Sequence, residues 1–323
     1  MKSSRLIFMV VAALALLFAQ AGMAQEEVSK FPSKPITYVC PVPPGTTVDL
    51  STRLMAKELE KIFGQPVVVA NKPGAALVVG TAAVATAKPD GYTIGFTGGP
   101  PLYFTPLLQK VPYDGLKDLR MVSQFGAFNV SVIVKKDSPF KSFKEMIEYA
   151  RKNPKKVTYG TNGTNSQTHI AIESIAKQEN VQLTHIPFKG APETQTAVLG
   201  GHIVFGAGDF GNLAESGTVK PLLLLREEKS AEYPNVPILK DLGYNVPYPM
   251  VIAIIAPKGV PDAIVKKLDD AVVKAMKEPT FVKGMKDLHL PVVYKNGKEM
   301  DAYVARNYDY YMKEFSELGL LKK

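Results

Sequence analysis

The sequence predicts an α/β protein of two lobes, each a mostly parallel sheet with flanking helices, joined by two crossing strands that serve as a hinge. Three observations predict it. Short apolar runs alternate with stretches of helical periodicity along most of the chain, the pattern of repeated β–α units. Several runs are apolar throughout, such as VIAIIAP at 251–257, as strands covered on both faces must be. Two proline-bearing passages, 121–139 and 226–250, set off a middle block with its own β–α cycle. The 323 residues suffice for two bodies that each bury a core.

The elements follow in order. Residues 1–24, MKSSRLIFMVVAALALLFAQAGMA, read as a secretory signal peptide. Lys2 and Arg5 give a positive start, Leu6 to Ala19 are apolar, and Gly22 and Ala24 are small where a signal peptidase cuts. A membrane span needs about 20 apolar residues, and no Cys follows to take a lipid, so the mature chain starts near Gln25. Strands are expected at 36–40, 66–70, 92–96, 130–134, 157–159, 183–187, 203–206, 219–225, 251–256 and 291–294, where apolar and β-branched residues run between glycines and prolines. Helices are expected at 50–63, 76–87, 142–152, 167–179, 192–200, 262–277 and 298–317. The first of them keeps Leu50, Leu54, Leu59 and Ile62 near one face. Lobe 1 then combines 25–125 with 245–323, and lobe 2 spans 126–244. A double crossing makes a hinge around a cleft.

Composition narrows the function. The net charge of +9 becomes +7 once Lys2 and Arg5 are removed, since no acidic residue goes with them. The basic residues are scattered, without a five-residue run or interleaved aromatics, so nucleic acid is not an expected partner. A mild positive field favours small anions. The single Cys40 lies in an apolar strand as a small buried hydrophobe, and no internal disulfide can form. An exported chain without disulfides suits a bacterial periplasm, and nothing after residue 24 is long and apolar enough to span a membrane.

The chemistry is expected in loops at strand ends, because in parallel α/β sheets ligands bind beyond the carboxyl ends of strands. The stretch PVPPGTTVDL at 41–50 breaks a strand and opens a helix. Free N–H groups and a partial positive charge at a helix start bind carboxylate or phosphate without a cationic side chain. Pro44 is expected in the ligand loop, Gly45 lets a ligand approach the backbone, Thr46 and Thr47 add hydroxyls, and Asp49 is expected as the helix N-cap. The alternative is a tight turn before a capped helix. The middle block repeats the arrangement in VTYGTNGTNSQTHI at 157–170, with Thr161, Asn162, Gly163, Asn165, Ser166 and, in the first helical turn, His169. Two further strand ends resemble them: FTGGPP at 96–101, with Thr97 and Gly98, and PFKGAPE at 187–193, with Lys189, Gly190 and Ala191. There Pro192 suits the first helical position.

His169 is either a general base or metal ligand, or a polar residue bonded to its loop; the other histidines lack ligand spacing. GAGDFG at 206–211 matches a dinucleotide fingerprint, but NLAESGTV after it is too short for the crossover helix. The loop is read as a cleft edge, with Asp209 a partner for an amine or hydroxyl. Tyr103, Phe104, Phe128 and Phe210 are either stacking surfaces for an aromatic acid or ordinary core. No arginine lies in the four loops, which leaves amides, hydroxyls and Lys189 to hold an anion.

FPSKPITYVCPVPPGTTVDLSTRL, GQPVVVANKPGAA, AKPDGYTIGF, VTYGTNG with SQTH, HIPFKGAPETQTAVLGGHI and APKGVPDAIVKKLDDAV resemble the periplasmic solute-binding proteins of tripartite tricarboxylate transporters, the Bug or TctC family. The resemblance runs over nearly the whole mature chain. It implies a hinge-closing periplasmic binding protein fold, no enzymatic activity and no cofactor. It also implies a small carboxylate held by the loops at 43–49 and 160–169, with 189–191 beside the second, and membrane partners in the large and small integral transporter subunits. The chain departs from the family pattern in reading Gly-Thr-Thr-Val-Asp in the first loop, Asn-Gly-Thr-Asn in the second and Thr-Gly-Gly-Pro-Pro in the third. These changes bear on which carboxylate is held: a di- or tricarboxylate or an aromatic acid. The chain is expected to act as a monomer. Two rival readings differ in class: a periplasmic enzyme using His169 with Asp209 or Glu193, and a receptor that signals, when loaded, to a membrane histidine kinase.

Overall fold

The first strand, β1 (Ile36–Cys40), shows how the apolar runs are used. Ile36, Tyr38, Val39 and Cys40 are all buried, and β1 pairs in parallel with β2 (Val67–Asn71) on one side and β3 (Thr93–Thr97) on the other. The structure is a computed structural model that describes residues 28–322 apart from 211, 212, 215, 231 and 249. The expected signal peptide at 1–24 and the start near Gln25 lie outside the described residues.

Two mixed sheets carry the fold. The six-stranded sheet runs β11–β4–β10–β3–β1–β2, where β4 is Leu119–Ala127, β10 is Val251–Pro257 and β11 is Lys295–Asn296. The five-stranded sheet runs β7–β6–β8–β5–β9, with β5 at Val130–Lys135, β6 at Thr158–Thr161, β7 at Thr184–Pro187, β8 at Phe205–Asp209 and β9 at Val219–Leu224. In each sheet the β–α strands are parallel and the strands next to the crossings are antiparallel. The run VIAIIAP is therefore apolar for a reason other than parallel pairing: β10 is antiparallel to both neighbours, and every one of its residues is buried.

The helices cover these sheets. Helix α1 (Thr47–Phe63) packs with α8 (Asp262–Ala275) and α9 (Pro279–Asp287) over one face of the six-stranded sheet. Its buried stripe is Thr52, Met55, Ala56 and Leu59, whereas Leu50 is 41% exposed, about half a turn of the helix away from that stripe. Full burial of Met55 and Leu59 contributes about 2 kcal/mol each. The element at 279–287 was not expected, because Gly284 weakens a helical pattern. Here that glycine admits Leu54: a Cβ on it would lie 2.7 Å from the leucine's methyl. Helix α10 (Gly297–Glu317) covers the other face with α2 (Val78–Ala85) and the short α3 (Pro100–Tyr103) and α4 (Thr105–Leu108). Residues 291–294, expected as a strand, are irregular; Lys295 and Asn296 pair with β4 instead.

Helices α5 (Phe143–Lys152) and α6 (Gln167–Gln178) build the main core of the five-stranded body with Tyr159, Phe205 and Leu223. Helix α7 (Ala191–Leu199) lies over the small cluster of Ile133, Val198, Ile203 and Phe210. The chain passes between sheets twice, between Ala127 and Val130 and between Tyr248 and Val251, where the sequence reading divides it at 125/126 and 244/245. Phe128 packs against both cores at the first passage.

Candidate functional site

Strand direction brings the expected loops to one place. In the six-stranded sheet Thr97, the end of β3, pairs with Ala253, and Val251 pairs with Ala127, the end of β4. The loops after β1 and β3 thus leave the sheet at the edge where the chain crosses over. In the five-stranded sheet Asp209, the end of β8, pairs with Val130, the start of β5. The loops after β6, β7 and β8 leave at its own crossing edge. Since Ala127 and Val130 are consecutive strand ends, both sets of loops converge on the crossing.

The first loop is an exposed ledge on a buried anchor. Residues 43–47, including Pro44, Gly45, Thr46 and Thr47, are exposed, while Asp49 is 1% exposed. The N-cap of α1 is Thr46, not Asp49: the Thr46 hydroxyl accepts from Asp49 N at 3.3 Å and donates to the Pro43 carbonyl at 3.1 Å. Asp49 lies one turn in and reaches back, its Oδ2 accepting from Gly45 N at 2.8 Å and Arg53 Nε at 2.9 Å. Its Oδ1 accepts from Asn71 Nδ2 at 2.7 Å, and Asn71 also donates to the Val42 carbonyl at 3.0 Å. Burial pushes this carboxyl up, but the bonds from Arg53, Asn71 and Gly45 outweigh it and hold the group below the usual carboxylate range. Asp49 therefore shapes the loop and leaves the N–H groups of 46–48 and the Thr47 hydroxyl to a ligand. Gly45 adopts φ 82°, a left-handed conformation that a side chain would strain.

Arg53 was missed, and it changes the electrostatics. It sits four residues after Asp49, the helical spacing at which an ion pair forms, and its side chain stays 47% exposed beside the ledge. A fixed cation thus stands at the first loop, which the four loop sequences alone do not contain.

The second loop is held from behind. Ser166 caps α6, accepting from His169 N at 3.2 Å, and Asn165 adopts φ 56°. Asn165 N donates to His169 Nδ1 at 3.1 Å, so that nitrogen is unprotonated. Thr161 is fully buried; its hydroxyl donates to the Gly163 carbonyl and bonds His185 Nε2 at 2.8 Å. Asn162 is exposed and Gly163 half-buried. His169 serves its loop, and among the described residues there is no group of three or more His, Cys, Asp or Glu able to hold a metal.

The remaining residues divide. Lys189 is exposed, its N–H donating to Glu193; Gly190 caps α7, which starts at Ala191, so Pro192 stands second. Thr97 and Gly98 are buried, the Thr97 hydroxyl accepting from Gly99 N at 3.1 Å. Asp209 is half-buried near the Tyr248 hydroxyl. Phe210 is 1% exposed and packs against Gly206 and Gly208, so it belongs to the core and is no stacking surface. Gly206 and Gly208 are accordingly strand residues packed by that ring and Val198, not a phosphate loop; Gly211 lies outside the described residues. Tyr103 and Phe104 are core as well, Tyr103 stacked on Tyr311 and Phe104 edge-on to Tyr311 and Phe315.

One set of contacts went unforeseen. Helix α6 reaches the other body along one face. Gln167 Nε2 lies 3.4 Å from the Tyr103 and Tyr311 hydroxyls, and Ile170 enters the core around Tyr103. The Ser174 hydroxyl donates to Glu314 at 2.9 Å, and Lys177 pairs with Glu317 at 2.6 Å. A hollow of about 660 Å³ also bridges the bodies, between Lys240, Tyr244, Pro247, Arg306 and Tyr310, but Glu227 and Glu228 in its wall balance Lys240 and Arg306, and Arg306 is already paired with Glu227, so it offers an anion no net positive charge.

Comparison with known proteins gives the class. The model of the tripartite tricarboxylate transporter family receptor, TctC, matches residues 51–319. The chain belongs to that family. A relative from Cupriavidus necator, described as a UPF0065 protein in the gbd 5' region, is 35% identical over 315 residues, 97% of this chain and 96% of its own. A TctC solute-binding protein from Polaromonas, solved without ligand, matches with TM-score 0.81 at 25% identity, over 89% of this chain and 99% of its own. MatC from Rhodopseudomonas palustris, solved with malate, shares the fold with TM-score 0.69 at 24% identity, over 88% of this chain and 99% of its own. TctC proteins are periplasmic solute-binding receptors and not enzymes, which removes the reading of His169 as a general base. Among the described residues no helix of this TctC protein is long and apolar enough to cross a membrane.

Proposed function

We propose that this receptor captures a small carboxylate between two lobes, the six- and five-stranded bodies, and delivers it to the large and small membrane subunits of a tripartite transporter. The carrying observation is the convergence on the crossing of two helix starts, α1 with 17 residues and α6 with 12, each opened by a loop of small residues. Their free N–H groups and dipoles suit carboxylate oxygens. Lys189 adds positive charge at one rim, and at the other Arg53 offsets the buried Asp49 carboxylate that would otherwise repel an anion. Closure excludes water and strengthens each charge-assisted bond. MatC's malate is an observation on MatC; the loops here are a separate reason to look at the same chemistry. The export signal at 1–24 would place the chain in the periplasm, where it acts as a monomer.

Isothermal titration against di-, tri- and aromatic carboxylates tests this reading. The expected affinity is about −8 to −10 kcal/mol, roughly micromolar to tens of nanomolar. Absence of heat for every member, confirmed by native mass spectrometry without co-purified acid, overturns it.

A further inference from the structure

Behind the second loop lies a pair of stacked imidazoles that no transport role requires. His169 on α6 and His185 on β7 have ring centroids 4.0 Å apart, inclined by 30°. Each ring is bonded to the loop: His169 Nδ1 accepts from Asn165 N, and His185 Nε2 bonds the Thr161 hydroxyl. Tyr159 on β6 stacks on His169, lies tilted against His185 and bonds Glu173 through its hydroxyl; Phe205 on β8 backs Tyr159. The titratable groups facing the pair are thus Glu173 from α6 and Tyr159 from β6; β8 offers only a ring.

We propose that His169 and His185 are positioning residues for the second loop, and that proton uptake by the pair loosens that loop and releases bound carboxylate. This rests on the reading of 161–169 as a ligand loop. A proton on His169 Nδ1 replaces an acceptor by a donor facing the Asn165 N–H, so the bond is lost and two donors oppose each other. A second proton puts like charges 4.0 Å apart in a half-buried stack. Both effects disfavour the charged forms. Burial and the His169 ring accordingly bring His185 down to about 4, and burial lowers His169 against the upward pull of Glu173. The loop stays set near neutral pH and gives way in acid, in the window below the ordinary histidine value of about 6.5.

Two isosteres separate positioning from mere packing. Asn places an acceptor where His169 Nδ1 stands, Gln places an N–H donor where His185 Nε2 donates to the Thr161 hydroxyl, and neither titrates. In the ligand-free protein, amide signals of Asn165 and Gly163 are followed by NMR from pH 7.5 to 4 beside the imidazole signals. They should move with the imidazole titration, and they should stay flat in the H169N/H185Q variant. L-malate and adipate titrations at each pH should show the natural protein losing at least tenfold more affinity than the variant, relative to each protein's own value at pH 7.5. Protonation of the acids affects both proteins alike and cancels in that comparison. Amides that ignore the imidazole titration, or a parallel loss of affinity in the two proteins, overturn the proposal. If neither acid binds at any pH the carboxylate reading is in question, and the amide arm still decides the positioning role.

Discussion

At the scale of the residue, Asp49 carries more than its place in the sequence suggests. A carboxylate in an anion site looks misplaced until its partners are counted: Gly45 N, Arg53 and Asn71 consume its charge inside the protein. Truncation in Asp49→Ala leaves three donors around a small void. It should cost about 2–4 kcal/mol in urea unfolding, because unpaired buried groups cost more than the bonds themselves gave. The pH dependence has a definite sign. The folded carboxyl titrates below its unfolded value of about 3.9, so its contribution is complete above that value and fades as pH falls through the folded one. Urea midpoints from pH 7 to pH 2.5 should therefore fall less steeply below pH 4 in Asp49→Asn than in the natural protein. Equal slopes would mean that the Asp49 bonds do not differ between folded and unfolded chains.

At the scale of the element, helix α2 fixes the start of the first loop. A Cβ on Gly80 would stand 2.6 Å from Pro41 Cβ and 2.8 Å from Pro41 Cα, and backbone cannot swing aside as a side-chain tip does. Alanine in a helix ordinarily gains about 0.5–1 kcal/mol over glycine. Overpacking costs about 1–3 kcal/mol and should win. Gly80→Ala is thus expected to lower thermal stability and to weaken carboxylate affinity by moving 41–47. A melting temperature at or above that of the natural protein would show that the helix yields freely. The same scale explains the unforeseen elements. Four-residue helices α3 and α4 are too short to show a period, and α9 hides behind Gly284, whose absence of a side chain is a packing requirement.

At the scale of the whole molecule, the seam between α6 and α10 joins the two bodies near the second loop. Its bonds differ in worth. Ser174 is 3% exposed and donates to a carboxylate, so its bond contributes about 1–2 kcal/mol. The exposed Lys177–Glu317 pair counts for little. Ser174→Ala should shift the separation of the bodies in ligand-free protein at least fivefold in population, and Lys177→Ala should not. Spin labels on Lys72→Cys and Thr196→Cys, both exposed positions, report the distance. Identical distributions for Ser174→Ala and the natural protein would remove the seam as a control of opening.

The sequence by itself determined the class, the order of β and α elements and the loops worth examining, because hydrophobic period and glycine–proline punctuation are local properties of the chain. It also carried the resemblance to the TctC family. Only the tertiary structure decided what each loop residue does. The sequence reading gave Asp49 the cap that Thr46 supplies, and it did not show Asp49 as an anchor, since Asn71 lies 22 residues away. Phe210 read equally as core or as stacking surface until its neighbours from β5, α7 and β9 were in place. His169 met His185, and Gln167 met Tyr103 and Tyr311, only across separate strands and helices. Burial and bond partners are set by segments far apart in the chain, and no local pattern records which of them will meet.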